Sequence, residues 1–184
     1  MTARDVADKV ATYFGGTYDA PTRSYRTIPA PLLAAGLSLV KRGFSKRDDF
    51  ADYFIGQAPG AMTGAMMIVY VPDDQDRRIA LPAVQGRRKV HYAIELHCFV
   101  WSKAPYAEDV TDFVYDLGDA IVARIRLDPT LGTGGIETGN FQVGEGSEDG
   151  GGSITRHRDQ AETTSDTTKA YLLISFEAHA YDVA

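Results

Sequence analysis

The side chains best able to do chemistry fall on two alternating stretches. His91, Glu95 and His97 stand at even separations, and Glu177 with His179 repeats the two-residue step later in the chain. Alternate residues of a β-strand project from one face. A strand through 91–97 would therefore set two imidazoles beside a carboxylate, with Glu177 and His179 across from them. Imidazole and carboxylate suit zinc or iron, so a small metal-dependent hydrolase using His91, Glu95, His97 and His179 is one reading. The same spacing arises wherever one face of a sheet is half polar. Phe99, Trp101 and Tyr181 continue the rows, which favours a semi-apolar surface that contacts another protein.

Other groupings say less about chemistry. Arg77-Arg78, Arg87-Arg88-Lys89 and Arg156-His157-Arg158 could touch nucleic acid, or form solvated edges that meet acidic loops of a neighbouring copy. A net charge of −6 opposes tight, sequence-independent binding to a phosphate backbone. The patterns G-x-x-x-x-G-K-[ST], H-E-x-x-H and G-x-S-x-G do not occur. The glycines of 132–135 follow an expected helix, whereas a phosphate cradle precedes one. Gly144-x-Gly146 lies among acids that would repel phosphate. The single cysteine excludes an internal disulfide and a cysteine-based zinc site, and Cys98 falls on an apolar strand face as a packed thiol. The expectation is a chain with no catalytic residue, no cofactor and no metal.

The elements that position these residues centre on 89–127. Val90, Tyr92, Ile94, Leu96, Cys98 and Val100 form one wholly apolar strand face. After a turn at 102–105 the period changes: Val110, Phe113, Val114, Leu117, Ile121 and Ile125 make one stripe on a helix of about five turns. Acids near its start and Arg124 and Arg126 near its end suit the helix dipole. The stripe should lie on the strand's apolar face. A final strand over about 169–181 repeats the alternation, so the two strands should pair and share the helix.

Elsewhere, Thr2 can cap a helix over about 3–14 that Gly15-Gly16 ends. Residues 17–31 read as an irregular connection or a short edge strand, 36–40 as a short strand, and 46–55 as a helix capped by Ser45. Residues 65–71 and 77–84 read as the two arms of a hairpin turning at 72–76. A short strand is expected near 141–144, a strand or hairpin arm over 153–158, and loops over about 128–139 and 145–168. The start MTARDVADKV has no apolar core of a secretory signal, and the longest apolar run, 66–71, is too short to span a bilayer. The expected fold is one α+β domain over 1–184: a mixed or antiparallel β-sheet with a long helix packed on one face, plus an N-terminal helix and a β-hairpin.

That order of elements resembles the tail terminator proteins of long-tailed phages, most clearly over 89–184. The resemblance is carried by KVHYAIELHCFVW, AEDVTDFVYDLGDAIVARIR, LDPTLGTGGIETG and AYLLISFEAHAY. It implies a structural virion protein that closes the tail tube as a ring, typically of six copies, and joins tail to head. The implied partners are further copies, the major tail protein and a head–tail connector or stopper, with DNA passing through the lumen unbound and no membrane involved. Assembly would take place in the host cytoplasm. Another neck or tail-tube component is the alternative. Leu131, Ile136, Glu145, Glu148, Asp149, Arg156 and Arg158 are the expected subunit-contact or lumen residues. Acidic, glycine-rich loops can order against neighbouring copies. Deleting residues 145–152 should therefore leave a folded subunit by circular dichroism, while electron microscopy shows tails of uncontrolled length or tails without heads.

Overall fold

A computed structural model describes residues 2–44, 49–78, 87–133, 141–144, 153–164 and 166–183. The chain opens with helix α1, Ala3–Gly15. The Thr2 hydroxyl accepts the Asp5 amide at 3.2 Å and the Asp5 carboxylate accepts the Thr2 amide at 2.9 Å, a reciprocal cap. These hydrogen bonds hold the Asp5 carboxyl below its ordinary range. Val6, Val10 and Phe14, four residues apart, are fully buried.

Two-residue strands β1 (Tyr18–Asp19) and β2 (Ser24–Tyr25) lead to helix α2 (Ala30–Ala34) and strand β3 (Leu37–Arg42). Pro31 sits in the first turn of α2, where proline is tolerated; this turn of helix is absent from the sequence expectation. A 3-10 helix, Phe50–Phe54, replaces the expected helix over 46–55. Its cap is Asp49, which accepts the Ala51 amide at 3.1 Å; Ser45 lies outside the described residues.

Strands β4 (Thr63–Arg78) and β5 (Arg87–Ser102), helix α3 (Ala107–Leu127), and strands β6 (Gln142–Val143), β7 (Thr155–Thr163) and β8 (Thr168–Val183) complete the chain. The sheet runs β1-β2-β3-β4-β5-β8, with β6 and β7 both paired to β8. Among the described residues, β3 and β4 are the one pair that runs parallel.

The hairpin differs from expectation. Residues 72–76 do not turn: β4 continues through them and pairs antiparallel with β5 as far as Arg78↔Arg88. Pro72 cannot donate to a ladder, and the register shifts between Tyr70 and Asp73. β3 pairs as far as Val69, so among the described residues this half of β4 is an edge, where proline and charge are tolerated. Likewise β7 carries residues 159–163, expected as loop, along β8.

The expected centre is present. β5 and β8 pair from Arg87↔Val183 to Ser102↔Thr168 without a shift. Val90, Tyr92, Ile94, Leu96, Cys98 and Val100 on β5 and Leu172, Ile174 and Phe176 on β8 are buried with Val110, Val114, Leu117, Ile121 and Ile125 of α3 in one core. Phe113 is only half-buried and reaches sideways. At Gly36, whose φ is +87°, an added Cβ would stand 2.2 Å from the Phe113 ring. The two long helices are also tied together: the Tyr13 hydroxyl donates to the Arg124 carbonyl at 2.8 Å, and the Arg124 guanidinium covers the Tyr13 ring at 4.2 Å.

On the opposite face a smaller core joins Leu39, Tyr53 and Met66 with Phe99 and Trp101. The Ser38 hydroxyl donates to the Tyr53 carbonyl at 2.6 Å, and Gly64 lets that carbonyl approach so closely that an added Cβ would lie 1.9 Å from it. Trp101, the single tryptophan, meets Phe50 and Tyr53 edge to face at 4.6 and 5.4 Å. Gly64→Ala should therefore lift the 3-10 helix and cost about 1–3 kcal/mol by overpacking. Tryptophan emission should shift to the red with a lower urea midpoint; an unchanged spectrum would mean that Gly64 does not seat this segment.

Candidate interaction surface

The open face of the sheet gathers the residues singled out for chemistry. Tyr70 on β4, Glu95, His97 and Phe99 on β5, and Tyr171 on β8 share it through the register Tyr70↔Glu95 and Phe99↔Tyr171. Phe44, just past Gly43 at φ +77°, folds over the His97 ring edge at 4.9 Å and meets Tyr70 at 5.5 Å. Phe44 is 56% exposed and Tyr70 40%. Phe99 and Tyr171 pack at 5.3 Å.

His97 is the centre of this surface. Its Nε2 lies 3.0 Å from Glu95 Oε2 and its Nδ1 lies 2.5 Å from the Tyr171 hydroxyl. Burial, and then the Glu95 charge, push the Tyr171 phenol above its ordinary value of 10. The phenol therefore keeps its proton and can donate to Nδ1 while Nε2–H donates to Glu95. Both imidazole nitrogens thus have hydrogen-bond partners within the chain.

The expected histidine group is divided. His91 is six residues from His97, roughly 20 Å along a strand, and stands instead opposite His179, with ring centroids 6.2 Å apart. His179 is 1% exposed. Among the described residues no three His, Cys, Asp or Glu side chains come together to hold a metal ion. Cys98 is fully buried and its thiol is pushed up to about 12 by burial. Among the described residues no helix is long and apolar enough to cross a membrane.

The arginines have partners within the chain. Arg156 and Arg158 lie on the helix side of β7, where Arg156 bonds Asp119 of α3 and Arg158 covers the Tyr115 ring at 4.7 Å. His157 and Asp159 pair on the opposite side at 3.0 Å. The β4–β5 register also brings two basic clusters abreast, Arg77↔Lys89 and Arg78↔Arg88.

Leu131 lies inside the core, 1% exposed, with φ +48°. Its turn is organised by Asp128, which accepts the Thr130 hydroxyl at 2.6 Å, the Thr130 amide at 2.9 Å and the Gly132 amide at 2.8 Å. Against α1 this turn forms a shallow groove of about 340 Å³ lined by Lys9, Thr12, Tyr13 and Gly132. Ile136, Glu145, Glu148 and Asp149 fall outside the described residues.

No protein-family model matches the chain, and no curated protein matches it. Sequence reasoning missed Phe44, Tyr70 and Tyr171 as members of the surface. Alternation through Met66, Ile68 and Tyr70 carried a signal for the second, and Tyr171 stood in the outer row of its strand. Phe44 carried none, because a glycine turn brings it in.

The hydrogen bonds to Asp128, that from the Thr130 hydroxyl first, hold its carboxyl below the ordinary 3.8. Its stabilising effect is therefore present above that value and is lost as pH falls through the lowered one. Asp128→Asn should cost about 1–2 kcal/mol near neutral pH. In chemical unfolding, the gap from the native chain should close in strongly acidic solution; a gap independent of pH would show that the carboxylate charge does not hold the turn.

Proposed function

We propose that this chain is a structural subunit of a phage tail, a terminator-like protein that closes the tail tube and joins it to the head as a ring of identical copies. The observation that carries the reading is the state of the open sheet face. The side chain there best suited to catalysis, His97, has both nitrogens bonded to neighbours, and it sits among exposed aromatic rings. Such a surface suits contact rather than turnover. Aromatic residues are enriched in protein–protein interfaces relative to the rest of the surface.

The supporting features are the α+β architecture, the sequence resemblance over 89–184, and the acidic balance. A net charge of −6 suits a bore through which DNA must pass without being held. The partners in this proposal are further copies of the chain, the major tail protein on one side and a head–tail connector or stopper on the other. The second reading within the same class is another neck or tail-tube component.

A phage lacking the gene decides between them. Loss of the terminator should leave separate heads and tails, with tails of irregular length by electron microscopy. Tails of normal length that fail to join heads would assign the chain to the neck instead. Normal infectious particles would remove the virion role altogether.

A further inference from the structure

Among the described residues, cations cap aromatic rings in four places. Arg124 covers Tyr13 and Lys103 covers Phe50, each at 4.2 Å, Arg158 covers Tyr115 at 4.7 Å, and Lys169 lies over Trp101 at 5.0 Å. The open face of the sheet departs from this habit. Among the described residues no lysine or arginine lies over Phe44 or Tyr70, although both rings are exposed and meet each other at 5.5 Å.

A carboxylate lies beside these bare rings. Glu95 is the register partner of Tyr70, and Phe44 packs on His97, two residues along β5 on the same face. Glu95 engages His97 through Oε2 at 3.0 Å; its other oxygen has no hydrogen-bond partner among the described residues, and the side chain is 31% exposed. Next along the same face, Asp73 and Glu177 stand on either side of Ala93, both exposed. The cations of this face are engaged elsewhere. Lys41, opposite Ile68, is bonded to Asp52 at 2.9 Å, and His157 pairs with Asp159. The corner is therefore negative and rich in ring faces, the setting that attracts a cation.

We infer that this corner is the docking point for an arginine side chain of a partner protein. The guanidinium would stack on Phe44 or Tyr70 and donate to the open oxygen of Glu95, while Asp73 and Glu177 add attraction from a distance. Arginine fits because its plane can lie on a ring while its edge donates to a carboxylate, which a lysine ammonium cannot do. A purely apolar partner fits poorly. Covering these rings also covers Glu95, and burying a carboxylate without a counter-charge is costly. The inference rests on the contact reading of the open face given above and names the chemistry of the partner there.

The probe is N-acetyl-arginine amide, with N-acetyl-citrulline amide as its neutral isostere, titrated into the full chain and followed by NMR. The arginine probe should bind with a Kd on the order of millimolar, the level a ligand of this size reaches. Shift changes should centre on Phe44, Tyr70 and Glu95, with Overhauser contacts from both rings to the probe. Citrulline should bind about tenfold more weakly, because losing the charge removes both the ring contact and the charge-assisted hydrogen bond. Glu95→Gln should weaken the arginine probe about tenfold and Phe44→Ala about threefold. Should Glu95→Gln disturb the sheet through His97, Phe44→Ala at an exposed position carries the test. Equal binding of the two probes, shifts centred away from this corner, or folded variants that bind arginine as tightly as the native chain would overturn the inference. The gene-deletion phage keeps the two readings apart. Arginine capture by a chain that the phage does not need would keep the site and remove the tail role. No preference for arginine, in a chain whose loss leaves tails without heads, would remove the site and leave the tail role standing.

Discussion

The pairing of β5 with β8 constrains everything else in the molecule. Side chains alternate with a period of two, so a slip of one residue anywhere between Arg87↔Val183 and Ser102↔Thr168 would turn an entire apolar row outward. The rows prevent it. Val90, Tyr92, Ile94, Leu96, Cys98 and Val100 are all buried, and so are Leu172, Ile174 and Phe176 beside them. α3 lies on this double row, β4 extends it on one side, and β7 and β6 extend it on the other.

A fixed register gives the sheet two unlike faces. The covered face is apolar along β5 and β8, with Arg156 and Arg158 at its β7 margin, and it packs on α1 and α3. Among the described residues, the open face is covered at one end by the 3-10 helix over Met66 and Trp101, and elsewhere presents His97 in its aromatic setting. The same alternation that buries Leu96 and Cys98 places Glu95 and His97 together on the other side. Their closeness is thus a by-product of sheet geometry, and their mutual hydrogen bonds stabilise the surface.

How far the sequence revealed this depended on periodicity. The strand over 89–101, the helix after it and the closing strand were legible because each kept one period over many residues. The N-terminal cap was legible because Thr2 and Asp5 stand at the spacing that a reciprocal cap needs. β4 was not, because Pro72 and the acids after it carry the chemistry of a turn, and only its place at the sheet edge lets the strand continue. The candidate site was half legible. His97 and Glu95 were named, yet spacing alone put His91 with them, and Phe44 arrives from a distant turn. Arg156 and Arg158 were visible as charges, whereas their partners Asp119 and Tyr115 depend on how α3 crosses β7.

The central ladder joins segments made at different times. β5 emerges from the ribosome 81 residues ahead of β8, which at about 5–20 residues per second is a delay of roughly 4–16 seconds. β4 and β5 can meet at once as sequence neighbours, and α3 can coil locally, but the apolar stripe of that helix lacks half of its seat until β8 arrives. During that interval the nascent chain exposes a central strand paired on one side only, beside a helix with an uncovered apolar stripe. Aggregation during synthesis, rather than unfolding afterwards, is the hazard this topology imposes, and holding chaperones would act in that window.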